Sequence, residues 1–219
     1  MKTLFTILIL GMTAMSPLLS QTDFYNFTFT FGMSPKQTPL QNGLIVNRET
    51  PMTEFVFNLT EVESSYLLGV NKNFRINRAF FGTVGLQYRP QKQTYSMLFT
   101  HADFPDGNEY KLSTTTHMIS LPVGVGVKFN HLDITSGLQA NYAIQSEMKE
   151  QIPMGIEMGK PNVELGWFTG IGITYYHTRL GIKYESTLVR SGHNLMHHQH
   201  PMEINNVPGN VTFTLGFSF

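Results

Sequence analysis

The chain has no cysteine, so no disulfide staples it and no lipid-modified N-terminal cysteine anchors it. Charge is also sparse: Asp, Glu, Lys and Arg make up 14% of the residues, with 15 acidic side chains against 15 basic ones. That balance argues against a nucleic-acid surface, and the shortage of charge argues against a disordered chain. Beyond the first residues there is no apolar run long enough for a spanning helix and no stripe at helical spacing. A membrane protein of this composition has to be a barrel, because only helices and closed barrels satisfy every backbone polar group inside hydrocarbon.

What is present begins with a leader. Met1 and Lys2 precede the apolar run from Leu4 to Leu10, and small and polar residues follow as far as Ser20. This is the charged, apolar, small-residue order of a secretory signal peptide. Gly11, Thr13, Ser16 and Pro17 interrupt the run before it reaches the ~20 residues of a retained anchor. Residues 1–20 are therefore read as a signal peptide and 21–219 as one domain, since no Pro, Gly or Ser linker divides the remainder.

The mature part alternates with period two. Residues 24–33 read FYNFTFTFGM, with Phe27, Phe29 and Phe31 on one face and Asn26, Thr28 and Thr30 on the other. Residues 210–219 read NVTFTLGFSF, where Val211, Phe213, Leu215, Phe217 and Phe219 oppose Thr212, Thr214, Gly216 and Ser218. The outward face of a soluble sandwich normally carries Lys and Glu. A polar face of Thr, Ser, Asn and Gly suits a crowded, wet barrel lumen instead.

Six more strands can be read between these ends, in pairs joined by short turns: 66–75 with 80–88, 117–129 with 132–142, and 163–175 with 179–188. The links at 34–65, 89–116, 143–162 and 189–209 are long and polar. Alternation of short turns with long loops is characteristic of outer-membrane barrels, with the turns on the periplasmic side. The expected fold class is an all-β, antiparallel, up-and-down transmembrane β-barrel of about eight strands. Ile119, Leu121, Val123, Val125 and Val127, then Val163, Leu165, Trp167, Ile171, Ile173 and Tyr175, are expected to face lipid. Tyr88, Tyr142, Trp167, Tyr175 and Tyr184 are candidate girdle residues at the headgroup levels.

Three segments carry a family resemblance: HMISLPVGVGVKF (117–129), ELGWFTGIGITYY (164–176) and the final LGFSF (215–219). In their order and spacing they resemble the PorT-like, or porin-family, outer-membrane β-barrel proteins. That resemblance implies an outer-membrane location and a role beside secretion or gliding machinery. By resemblance to outer-membrane proteins generally, the terminal Phe219 is the signal read by the barrel-assembly machinery, and its deletion is expected to impair insertion.

An eight-stranded barrel leaves interior room only for side chains, so an open diffusion pore is not expected. Inward positions include Arg75, Arg89, Lys128, Asp133, Glu164, Arg179, Lys183 and Glu185. This mixed-sign set is suited to an internal ion-pair network, because buried charges must be paired; a proton or ion path is the alternative use of interior ionisable groups. Enzymes on small barrels need a His/Ser pair with an orienting acid, or clustered acids. His117 and Ser120 differ in parity and so face opposite ways, and no catalytic residue or cofactor is assigned.

The last long loop, GHNLMHHQHPME, holds His193, His197, His198 and His200 beside Met196 and Met202. Imidazoles are the commonest transition-metal ligands and thioethers favour soft ions. The preceding long loop adds Met148, Met154 and Met158 with Glu147, Glu150 and Glu157. A metal patch and a merely solvated loop are both open readings, since a His-rich tract is compositional evidence. Two function classes follow: a non-catalytic structural or interaction component of the envelope, touching lipid and another envelope protein, or a ligand- or metal-binding or transport barrel that uses the His- and Met-rich outer loops. The segment 53–60 reads as strand, with Phe55, Phe57 and Leu59 alternating; an extracellular hairpin and a prolonged second strand both fit it.

Overall fold

The computed structural model describes residues 27–38, 45–50, 53–101, 104–148, 156–158, 163–191, 195–197, 200–202 and 209–219. The signal-peptide reading of 1–20 lies outside them. Thirteen strands are described: β1 (Phe27–Ser34), β2 (Ile45–Thr50), β3 (Thr53–Val62), β4 (Ser65–Arg75), β5 (Phe80–His101), β6 (Phe104–Phe129), β7 (Leu132–Met148), β8 (Ile156–Met158), β9 (Val163–Tyr175), β10 (Thr178–Ser191), β11 (Leu195–His197), β12 (His200–Met202) and β13 (Asn210–Ser218).

Eight of these close on themselves. The ring runs β1, β4, β5, β6, β7, β9, β10, β13 and back to β1, each neighbour hydrogen-bonded and antiparallel. Closure leaves no sheet edge within the ring, as a lipid environment requires. At the seam, the Phe219 amide donates to the Phe27 carbonyl at 2.9 Å, and the Phe29 and Phe219 rings meet edge to face.

The connections 76–79, 130–131 and 176–177 gather at one end, here the turn end. Asn130 and Tyr176 adopt positive φ, 53° and 52°, in the two-residue turns after β6 and β9, where primed turns match the twist of the flanking strands. Asn77 caps the third turn, its Oδ1 accepting from the Ala79 and Phe80 amides at 2.9 Å each. His131 and His177 clip these turns to the next strand by donating from Nδ1 to the Thr174 and Ser218 carbonyls, each at 3.0 Å.

The faces sort by parity. Phe29, Phe31, Leu121, Val123, Val125, Leu138, Leu165, Ile173, Leu180 and Phe213 are exposed on the outside. Thr28, Thr83, Gln87, Gln139, Asn141, Thr212, Thr214 and Ser218 are buried inside. Leu138 is 63% exposed while its neighbour Gln139 is 4% exposed. That is the reverse of a water-soluble fold, and in water it would expose a contiguous apolar belt.

Three of the expected long links are corrected. The 89–116 segment is not a loop: β5 and β6 continue as one paired ladder from Arg89↔Met118 to His101↔Phe104. β7 likewise runs on to Met148. In the 34–65 link, β3 takes over from β4 as the neighbour of β5, pairing Val62↔Gln93 up to Thr53↔His101, and folds back on β2. It is thus both a prolongation of the second barrel strand and a hairpin. Above the ring, β2, β3 and the upper halves of β5 and β6 therefore form a four-stranded extension.

Candidate functional site

The lumen is the obvious place to look for chemistry, and its charged residues sit at two levels. At the upper level Arg89 on β5 reaches Glu185 on β10, Nη2 to Oε2 at 2.6 Å. Counting around the ring, β5 and β10 are four strands apart in an eight-stranded circle, so this ion pair spans the lumen from wall to wall. Lys183 pairs with the same carboxylate and donates to Gln87 Oε1 at 3.0 Å and Gln139 Oε1 at 3.4 Å. Its ammonium also lies 4.7 Å from the centroid of the Phe168 ring, a cation–π contact. Four walls are tied by one group of side chains, and all its charges have partners.

Near the turn end, Arg179 on β10 grips Asp133 on β7. Nε lies 3.1 and 3.0 Å from the two carboxylate oxygens and Nη2 lies 2.5 Å from Oδ1. Thr174 donates to the same carboxylate at 3.3 Å. Gly172 makes room for this pair, since a Cβ there would overlap the Arg179 guanidinium. Phe81 is accommodated the same way against Gly126. A cavity of about 120 Å³ remains between the levels, lined by Thr30, Asn71, Thr83, Lys128, Thr135 and Lys183 among others. It has room for a few waters.

Of the residues expected to form a lumen network, Lys183 and Glu185 thus meet with Arg89, and Asp133 meets Arg179 separately. Lys128 lines the cavity. Glu164 accepts from Thr187 at 3.4 Å, and Arg75 sits exposed at the turn end, donating from Nε to the Asn77 carbonyl at 3.0 Å. Gln87, Gln139 and Phe168 complete the upper cluster, although sequence reasoning did not single them out. Their only signal is inward parity, which uncharged residues share with every lumen position.

The girdle candidates do not share one height. Tyr175 is at the turn end and 65% exposed. Tyr88, Tyr142 and Trp167 stand eight, ten and eight residues above their turns, counted from Phe80, Leu132 and Tyr175. At ~3.3 Å per residue and ~40° tilt that is about 20–25 Å, close to the apolar band of a membrane barrel. Tyr184 is six residues above Thr178, its ring 5.4 Å from that of Trp167. The Tyr88 hydroxyl is hydrogen-bonded to His117 Nδ1 at 2.6 Å. His117 shares the outward face with Tyr88, whereas Ser120 pairs across from buried Gln87.

In the outer loops, His193, His198, Met154 and Glu150 lie outside the described residues. The strands β8, β11 and β12, which include Met158, His197 and His200, form a separate three-stranded sheet joining the two loops. Among the described residues, no three His, Asp or Glu side chains gather as a metal site.

No family model matches the chain, and no curated protein matches it. Solved structures similar to it include the Yersinia pestis outer membrane protein Ail in a phospholipid bilayer nanodisc, at 10% identity over 88% of this chain and 99% of that one, with a TM-score of 0.38. The translocator domain of the autotransporter NalP from Neisseria meningitidis gives 11% identity over 100% and 97%, at 0.42. The Escherichia coli outer membrane protease OmpT gives 7% over 89% and 97%, at 0.39. The class is defined by the chain's own geometry. A closed eight-stranded ring, apolar outside and polar inside along its lower half, is a β-barrel of the outer-membrane type.

Proposed function

We propose that this protein is a non-catalytic structural or interaction component of the outer membrane, a sealed barrel that carries a recognition sheet above the bilayer. The Arg89–Glu185 bridge across the lumen carries the reading. Side chains fill the path a solute would take, so the useful surface is the outside and the rim. The extension supports the second half. Among the described residues, β2 and the upper part of β6 each have a hydrogen-bonded neighbour on one side only. Such edges are the means by which strand-adding partners dock. The PorT-like resemblance names secretion or gliding machinery as the partner class to test first.

The experiment has two arms. In planar bilayers the purified barrel is expected to give no steady conductance. A photo-cross-linker replacing the exposed Lys111 is expected to capture a discrete envelope protein in intact cells, identified by mass spectrometry. Stable open channels would overturn the sealed lumen, and a chain that stays solitary in native envelopes would overturn the interaction role.

A further inference from the structure

Among the described residues of the ring strands between the turn end and the Tyr88–His117 pair, Lys72 is the one Lys, Arg, Asp or Glu at an outward position. Its direction follows from the ladder. Lys72 is paired with the exposed Phe27 on β1 and with Val84 on β5, and opposed residues in an antiparallel sheet share a face. Its ammonium is buried, lies 5.4 Å from the centroid of the Phe27 ring, and has no hydrogen-bond partner among the described residues. A cation on the lipid face needs an acceptor. Lys72 stands three residues above Arg75, the end of β4, which at ~3.3 Å per residue and ~40° tilt is about 8 Å up the wall. From that height a flexible lysine stem reaches down to the headgroups on the turn side.

Directly above Lys72 the outer wall is hollow. Leu68 and Val70 on β4 and Leu86 on β5 floor a groove of about 480 Å³, between Phe29 and Phe31 on one side and Tyr88 on the other. Val70 is one pleat repeat above Lys72 on the same face, about 7 Å away. The groove thus runs from the cation toward the Tyr88 level, the course an acyl chain takes from a headgroup on the turn side. A second copy of this chain fits poorly, because the described lipid-facing positions of this belt include no Asp or Glu to meet the ammonium. We propose that Lys72 and this groove hold one anionic phospholipid of the periplasmic leaflet, its phosphate accepting from the Lys72 ammonium and an acyl chain lying over Val70, Leu68 and Leu86. The site uses the closed ring and its lipid face, and it holds whether or not the lumen conducts.

The test gives the purified barrel, in zwitterionic detergent and with assembly checked by heat-modifiable migration, equimolar phosphatidylglycerol and phosphatidylcholine, and reads the complexes by native mass spectrometry. One phosphatidylglycerol per chain is expected to stay bound. K72Q is expected to weaken its retention about tenfold, as loss of a charge-assisted hydrogen bond does. V70W, which fills the groove and keeps the charge, is expected to weaken it as well, and either variant suffices if the other fails to assemble. R78Q, which removes an exposed cation in a turn, is expected to leave retention as in wild type. Equal retention of phosphatidylcholine, unchanged retention in an assembled K72Q or V70W, an equal loss in R78Q, or a dimer that K72Q dissociates would overturn the site.

Discussion

The lower barrel and the extension above it are built from the same strands with opposite outward faces. On β5 the outward residues pass from Phe80, Val84, Leu86 and Tyr88 to Lys92 and Thr94; on β6 they pass from Val127, Val125, Val123 and Leu121 to Thr115, Ser113 and Lys111. The change falls at the hydrogen-bonded pair Tyr88 and His117. Above it the outside carries the Lys92–Glu63 and Lys36–Glu61 ion pairs. Inside, the sense is reversed. Thr83, Gln87 and Arg89 below give way to Leu59, Val62, Tyr95 and Leu112 above, all buried. The lower half hides polar groups from lipid and the upper half hides apolar groups from water, so one ladder obeys both solvents by exchanging its faces.

Breaking each half should therefore hurt for different reasons. The largest effect is expected from Glu185→Leu, which strands Arg89 and Lys183 without their carboxylate. Loss of one partner of a buried pair costs about 3–5 kcal/mol, readable as a shift in urea unfolding in lipid vesicles. Replacing all three charges by apolar residues of similar volume should restore most of that loss. In the extension, Leu112→Ala should cost about 3 kcal/mol, because it removes apolar contact and leaves a cavity. The same change at Leu138 on the lipid face should cost less, since acyl chains refill the space. Equal losses at the two positions would erase the distinction between the halves. The smallest effect is expected at Lys92→Ala, where a part-exposed ion pair contributes at most about 1 kcal/mol and less at high salt.

The lower half was readable in the sequence because its two faces differ sharply: Phe against Thr in β1, Val against Gly in β6, and Phe or Leu against Thr in β13. The turns were readable as well, since Asn130–His131 and Tyr176–His177 interrupt that alternation at once. The run from Arg89 to Thr94 was not, because Arg, Gln, Lys, Gln and Thr put polar residues on both faces where the outside has turned polar and the inside has not yet turned apolar. Without contrast there is no period, and a long ladder reads as a polar loop. The charged lumen residues were visible from parity, but which of them meet depends on ring closure, as Arg89 and Glu185 are 96 positions apart in the chain. The union of the two outer loops through β8 and β11 had no local signal at all.

Because the chain has no native cysteine, single cysteines at 134–141 on β7 can carry a nitroxide spin label. Relaxation by oxygen, which concentrates in acyl chains, is then compared with relaxation by a water-soluble nickel chelate. High oxygen accessibility at 134, 136, 138 and 140, with low values for both reagents at 135, 137, 139 and 141, is the expected result. Nickel accessibility at the second set would show an open, watery lumen, and low oxygen accessibility at the first set would mean that the apolar face is covered by protein and not by lipid.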